Sequence, residues 1–164
     1  MIQSVKLGIT DEHRSHLLDG IYNPDVNNKG PRAKVTGNTY TEKTLHNYNE
    51  HFLDFSNKVL DAFSNFFEGE FGIGSMWGIG YSKGDEVFRH YHHQWKMSFV
   101  YFVQCCENCS PLVFPIRNQK FKPIIDNLLL FPNWKTSEHY VPKQQCNHDR
   151  VVISGNVTDF VRYE

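Results

Sequence analysis

From residue 73 onward the chain carries no helical period. Short apolar, β-branched and aromatic runs recur between turn residues instead, at 73–82, 97–103, 112–114, 128–131, 140–141 and 151–157. Runs this short and this closely spaced cannot pair as a parallel sheet, which needs a long crossover between strands. They predict an antiparallel barrel or jelly roll.

The first 70 residues read differently. Residues 2–9 alternate weakly and suggest one short strand. Thr10 stands where an N-cap would, followed by Asp11 and Glu12, which suit a helix N-terminus. Leu17, Leu18 and Ile21 then share a face, with Gly20 near the expected stop. A second helix is marked by Leu45, Tyr48, Phe52, Phe55, Val59, Ala62 and Phe66 at spacings of three and four, an amphipathic period. Thr39 and Glu42 fit a capping box and Gly69 a terminator. Between the helices, 23–38 is rich in Asn, Gly and Pro and reads as a loop, either a surface excursion or a lid over a site. Helices followed by strands place the helices as a buttress outside the sheet. The expected organisation is one domain over 1–164, with a helical buttress and loop over 1–70 and the strand core over 71–164.

Length and charge narrow the function. A chain of 164 residues with 13 Phe and 8 Tyr can bury a sizeable core. The formal net charge is −1 without a long basic run, which argues against a broad nucleic-acid footprint. No stretch approaches bilayer-spanning length, and MIQSVKLGITDEH lacks the apolar centre of a signal peptide. The expectation is a cytoplasmic protein without a membrane segment. Three of its four cysteines sit in Cys105-Cys106-Glu107-Asn108-Cys109. That spacing suits thiols or a metal clip in a reducing compartment better than a secreted disulfide framework.

The chemistry concentrates at two places. In Arg89-His90-Tyr91-His92-His93, His90 and His92 point to one side of an extended chain and His93 to the other. Two imidazoles so placed suit a metal, although two surface histidines would have the same spacing. His139 follows a second apolar strand, and Arg150 opens the run Val151-Val152-Ile153. Facing inward, Arg150 would need an anion, and a ligand carboxylate would serve. Facing solvent, it would need nothing.

In this order and spacing the residues resemble the iron(II)- and 2-oxoglutarate-dependent dioxygenases, in the prolyl-hydroxylase-like branch and with a His-x-His metal motif. The resemblance spans residues 77–156. Tyr81-x-x-Gly84 followed after five residues by His90-x-His92 is similar to the segment entering the family's metal motif. Ser98-Phe-Val-Tyr101-Phe is like the strand that follows. Pro111-Leu112-Val113-Phe114-Pro115, and the run from Lys122-Pro123 to Leu130-Phe131-Pro132, resemble two further family segments, with Asn127 in place of a glycine. His139 and Arg150, eleven residues apart, match the distal metal ligand and the arginine that receives 2-oxoglutarate.

The resemblance implies a double-stranded β-helix, a cupin-like jelly roll, with Fe(II) held by His90, His92 and His139. Arg150 would grip the far carboxylate of 2-oxoglutarate, assisted by Tyr81, Ser98 or Tyr101. The reaction would consume dioxygen, decarboxylate 2-oxoglutarate to succinate and hydroxylate a C–H bond of a small molecule or peptide side chain. Two positions depart from the family. His92 stands where Asp or Glu is usual, so three neutral imidazoles would leave the metal more positive. Val152 replaces a small hydroxyl residue. The family's topology also places the turns carrying Cys106-x-x-Cys109 and Cys146-x-His148 at one end of the barrel, where these four residues would form a structural zinc clip. Two other readings compete: a three-histidine cupin-like metalloprotein that does not use 2-oxoglutarate, and a barrel serving only to bind. Arg150 separates the first of these from the oxygenase, because only the keto acid requires it inside.

Overall fold

A computed structural model of the chain describes residues 1–26 and 39–160. Most of the expected 23–38 loop lies outside the described residues. Within it, Pro24–Val26 forms a single 3-10 turn.

The described strands are β1 (Gln3–Lys6), β2 (Thr39–Tyr40), β3 (Glu70–Tyr81), β4 (Val87–His90), β5 (Met97–Gln104), β6 (Leu112–Phe114), β7 (Gln119–Phe121), β8 (Asn127–Pro132), β9 (His139–Val141) and β10 (Arg150–Phe160), with helices α1 (Asp11–Tyr22) and α2 (Glu50–Phe66). Six strands form one sheet in the order β1-β8-β5-β10-β3-β2, and four form a second in the order β4-β9-β6-β7. Every strand pair is antiparallel. The architecture is a jelly roll of two facing sheets, mainly β with helices before it.

Strand alternation sorts the core into two layers. Phe99, Tyr101 and Val103 of β5, Leu128 and Leu130 of β8, and Val151 and Ile153 of β10 pack with Phe52, Phe55, Val59 and Phe63 of α2. Their neighbours Val100, Phe102, Leu129, Phe131 and Val152 face inward, toward Leu112, Phe114 and Val141 of the smaller sheet. The large sheet is therefore buried on both faces. Its strands read as continuous apolar runs rather than as alternating ones for that reason.

The helical segment differs in detail from expectation. Thr10 does cap α1, its Oγ1 accepting from the His13 N–H at 3.1 Å. Thr39 and Glu42 form no capping box, because Thr39 lies in β2 opposite Gly80. Leu45–Asn47 is a 3-10 turn, and Asn49 caps α2 by accepting from the N–H groups of His51 and Phe52 at 3.0 and 3.2 Å. Gly20 does not stop α1, which continues to Tyr22. It is small because a Cβ there would come within 2.5 Å of the Phe52 ring. Residues 1–70 also supply β1 and β2, both edges of the large sheet.

Gly155, in the middle of β10, is tighter still. A Cβ would meet the Phe99 ring at 2.4 Å and the Ser75 carbonyl oxygen at 2.8 Å. The backbone oxygen cannot rotate away, so Gly155→Ala is expected to cost about 2 kcal/mol through overpacking, read as a lower urea midpoint at unchanged slope.

Candidate metal centre

Strands β4 and β9 are antiparallel neighbours whose register sets His90 directly opposite His139. The chain turns after His90, with the Trp95 N–H bonded to the His92 carbonyl at 3.0 Å, and His92 joins the pair. Ring centroids lie 5.1 Å apart for His90 and His92, 4.6 Å for His90 and His139, and 5.4 Å for His92 and His139. One nitrogen from each ring lies within 4.8 Å of the others. His93 is exposed and stands outside the cluster.

The second nitrogen of each ring is tied down. His90 Nδ1 is 2.7 Å from the Phe88 carbonyl and His139 Nδ1 is 2.8 Å from the Ser137 carbonyl. Carbonyl oxygens only accept, so both Nδ1 atoms carry the proton and donate. His92 Nδ1 donates to Asn156 Oδ1 at 2.6 Å. A neutral imidazole protonated at Nδ1 has its lone pair on Nε2, so the three rings are set in one tautomer, with Nε2 the atom a metal would take.

Asn156 was not legible as a site residue. Its Oδ1 also accepts from Ser98 Oγ at 2.6 Å, its Nδ2 donates to Ser75 Oγ at 2.9 Å, and Ser98 Oγ accepts from Asn133 Nδ2 at 2.7 Å. This buried amide and hydroxyl network sets His92 at the position where the family resemblance led to a carboxylate. An Asn oxygen aimed at that place suits an N–H donor and would repel a carboxylate. Asn156→Ala is expected to weaken metal binding by about 10- to 100-fold, the usual effect of losing an outer partner, measured by competition with a metal chelator.

Arg150 opens β10 opposite Tyr81 of β3 and is only 1% exposed. Its Nε donates to the Ser110 carbonyl at 2.9 Å. Its guanidinium carbon lies 4.9 Å from the Tyr81 ring centroid and 5.3 Å from that of Phe102. Among the described residues, Nη1 and Nη2 are buried without a hydrogen bond of normal geometry, although the Tyr81 hydroxyl approaches the guanidinium. Burial draws the pKa of Arg150 down, and Tyr81 nearby opposes the shift, but a guanidinium stays charged in proteins. The adjacent Asp149 does not neutralise it, its carboxylate accepting instead from Tyr22 at 3.3 Å and Ser82 at 3.2 Å.

The histidine cluster and Arg150 line one open cavity of about 300 Å³, with Tyr81, Val152 and Leu112 in its wall. Burial raises the Tyr81 pKa, with Arg150 opposing, so its phenol is a neutral donor there. Trp77 lies within the wall, 5.9 Å from the His92 ring. Trp95 also lines the cavity and packs on Gly74, where a Cβ would come within 2.1 Å of its ring.

Two expected helpers of Arg150 are engaged elsewhere. The Ser98 hydroxyl is committed to Asn156 and Asn133 behind His92. Tyr101 points to the helical side of the sheet, where its hydroxyl donates to Asp126 Oδ1 at 2.9 Å. Strand parity explains the difference: Tyr101 is one residue out of phase with Val100 and Phe102, which face the smaller sheet. Of the four cysteine-site residues, Cys106, Cys109 and Cys146 come together, while the exposed His148 is not part of the group.

Solved structures that superpose on this chain include prolyl hydroxylases and a 2-oxoglutarate–Fe(II) oxygenase. Three illustrate the match. The viral collagen prolyl hydroxylase of Paramecium Bursaria Chlorella virus-1, solved with 2-oxoglutarate, has a TM-score of 0.69 at 11% identity over 95% of this chain and 94% of its own. The Trichoplax adhaerens prolyl hydroxylase, in complex with a hypoxia inducible factor peptide fragment, gives 0.71 at 16% identity over 96% and 83%. HygX from Streptomyces hygroscopicus, with nickel and 2-oxoglutarate bound, gives 0.71 at 9% identity over 96% and 82%. At the sequence level the chain matches no family model and no curated protein. The likeness therefore resides in the fold.

Proposed function

We propose that the protein is an Fe(II)- and 2-oxoglutarate-dependent oxygenase that hydroxylates a C–H bond of a small molecule or a peptide side chain. The observation that carries this reading is the buried guanidinium of Arg150, whose two Nη groups find no anion among the described residues and line the same cavity as the histidine cluster. An unpaired buried charge costs several kcal/mol. A carboxylate accepting both Nη–H groups removes that cost, and bidentate pairing is the geometry a guanidinium favours. A three-histidine metalloprotein without a keto acid gives Arg150 no such partner.

His90, His92 and His139 would hold the metal through Nε2, their Nδ1–H groups anchored to Phe88, Asn156 and Ser137. Bound there, Fe(II) would supply the redox centre for a reaction in which dioxygen, 2-oxoglutarate and a C–H bond give succinate, carbon dioxide and a hydroxylated product. The protein's own part is positional. Arg150 fixes the far carboxylate, its Nε held by Ser110 so that the Nη edge is presented to the cavity. Tyr81 stacks against the guanidinium and offers a neutral hydroxyl beside it. Val152 and Leu112 give the methylene carbons of the co-substrate an apolar wall that excludes water. Because Val152 has no hydroxyl, Tyr81 is the side chain left to supplement Arg150.

The proposal is tested by incubating the iron-loaded protein with 2-oxoglutarate under air and measuring succinate. Succinate formation that stops in Arg150→Met is expected. Iron-dependent oxygen uptake without loss of 2-oxoglutarate would favour the three-histidine alternative.

A further inference from the structure

The cysteines form a second site, separate from the histidine centre in its donor chemistry and in the turns that supply it. Cys106 and Cys109 sit in the turn after β5, and Cys146 in the turn before β10. Their sulfur atoms make a near-equilateral triangle: Sγ–Sγ is 3.5 Å for Cys106 and Cys109, 3.7 Å for Cys106 and Cys146, and 3.4 Å for Cys109 and Cys146. None of the four cysteines is in a disulfide. Three thiolates bound to one tetrahedral zinc at about 2.3 Å would stand about 3.8 Å apart, close to what is seen. The triangle is also surrounded as metal thiolates usually are. The Cys106 N–H lies 3.3 Å from Cys109 Sγ, and the Gln144 side-chain amide donates to the same sulfur at 3.5 Å.

We infer that Cys106, Cys109 and Cys146 bind one zinc ion, or another soft divalent cation, and that this clip holds the turn beneath Arg150. Binding releases a proton from each thiol as its Zn–S bond forms, with no oxidant involved. Residues 146–148 form the turn beside the triangle. There the His148 carbonyl, not its ring, lies 3.5 Å from Cys146 Sγ.

The link to Arg150 is short. Ser110, next to Cys109, supplies the carbonyl that holds Arg150 Nε. Gln144 ties the two turns together, accepting from the Ser110 N–H at 3.0 Å and donating to the His148 carbonyl at 2.8 Å. A metal joining the turns would thus fix the acceptor that orients the guanidinium. Only this second half of the inference rests on the proposed role of Arg150.

The metal half is tested without any catalytic readout. The wild-type protein, loaded with zinc, is alkylated with N-ethylmaleimide under native conditions and the labelled cysteines are counted by peptide mass. Cys106, Cys109 and Cys146 should be protected together and become reactive together when a chelator removes zinc. The His139→Ala protein should behave identically, because the histidine centre plays no part. The inference is overturned if the three thiols label at independent rates unaffected by zinc, or if protection disappears in His139→Ala. The positional half is tested by the 2-oxoglutarate affinity of the histidine centre before and after selective zinc removal. A fall of tenfold or more supports it and an unchanged affinity refutes it, in either case leaving the metal half standing.

Discussion

Arg150→Met is expected to leave the ligand-free protein within about 2 kcal/mol of the parent in stability while sharply lowering its affinity for 2-oxoglutarate. The parent buries a guanidinium whose two Nη groups find no anion among the described residues. Replacing buried charge by an apolar side chain of similar volume is often neutral or stabilising by about 1–4 kcal/mol. Against that stand the lost bond to the Ser110 carbonyl and the stacking on Tyr81 and Phe102, each worth about 1 kcal/mol. With ligand the balance reverses. Removing one partner of a buried charge pair costs about 2–5 kcal/mol, a 30- to several-thousand-fold rise in the dissociation constant. Thermal melts with and without 2-oxoglutarate and metal check both halves. The parent should gain a shift of the melting temperature that the variant lacks.

The second large effect is the loss of metal in His139→Ala. His139 is the most buried of the three candidate ligands, 4% exposed, and its ring packs between Phe114 and Phe131 at centroid distances of 5.5 and 5.3 Å. Removing it deletes a donor and opens a hole lined by aromatic rings that cannot replace it. Metal affinity should fall by more than the roughly 100-fold that loss of an outer partner can cause, as measured by isothermal titration. The truncation also empties buried volume and should cost about 2 kcal/mol of stability. Folding must therefore be verified by circular dichroism before the loss of metal is interpreted.

What the sequence disclosed follows from how each residue is used. The central strands of the large sheet were legible because both their faces are covered, which makes β5, β8 and the start of β10 nearly continuous apolar runs, whereas the two-residue edge strand β2 was read as a helix cap. Strand β4 was not legible either, because Phe88 and Arg89 are exposed and its pairing with β9 is interrupted by a register shift. The period of α2 continued back to Leu45, although residues 45–47 are a 3-10 turn whose Leu45 is buried beside the helix. Only the capping residue Asn49 marks the true start.

The spacing of His90 and His92 and the lone arginine before an apolar strand pointed to residues that the fold brings to one cavity. Ser98 and Tyr101 were drawn in by their neighbourhood in sequence, whereas the alternation of β5 separates them. Asn156 gave the same signal as Arg150, a polar side chain in an apolar strand with the same parity. Its significance depended on where His92 turned back, and no local pattern encodes that. His148 was grouped with the cysteines by the Cys146-x-His148 spacing and the topology that the family resemblance implied, whereas the chain brings its carbonyl and not its ring to the sulfur atoms.

The central claim is that one cavity holds both an Fe(II) ion and the keto acid that chelates it. Anaerobic titration of the apoprotein with Fe(II) and then 2-oxoglutarate tests it directly, because chelation of the ion by the keto acid produces a visible charge-transfer absorption. A saturable band at one iron and one 2-oxoglutarate per chain is predicted. It should be absent in His139→Ala and shifted to far higher 2-oxoglutarate in Arg150→Met. Folded, iron-loaded wild-type protein that shows no band at saturating 2-oxoglutarate would contradict the claim.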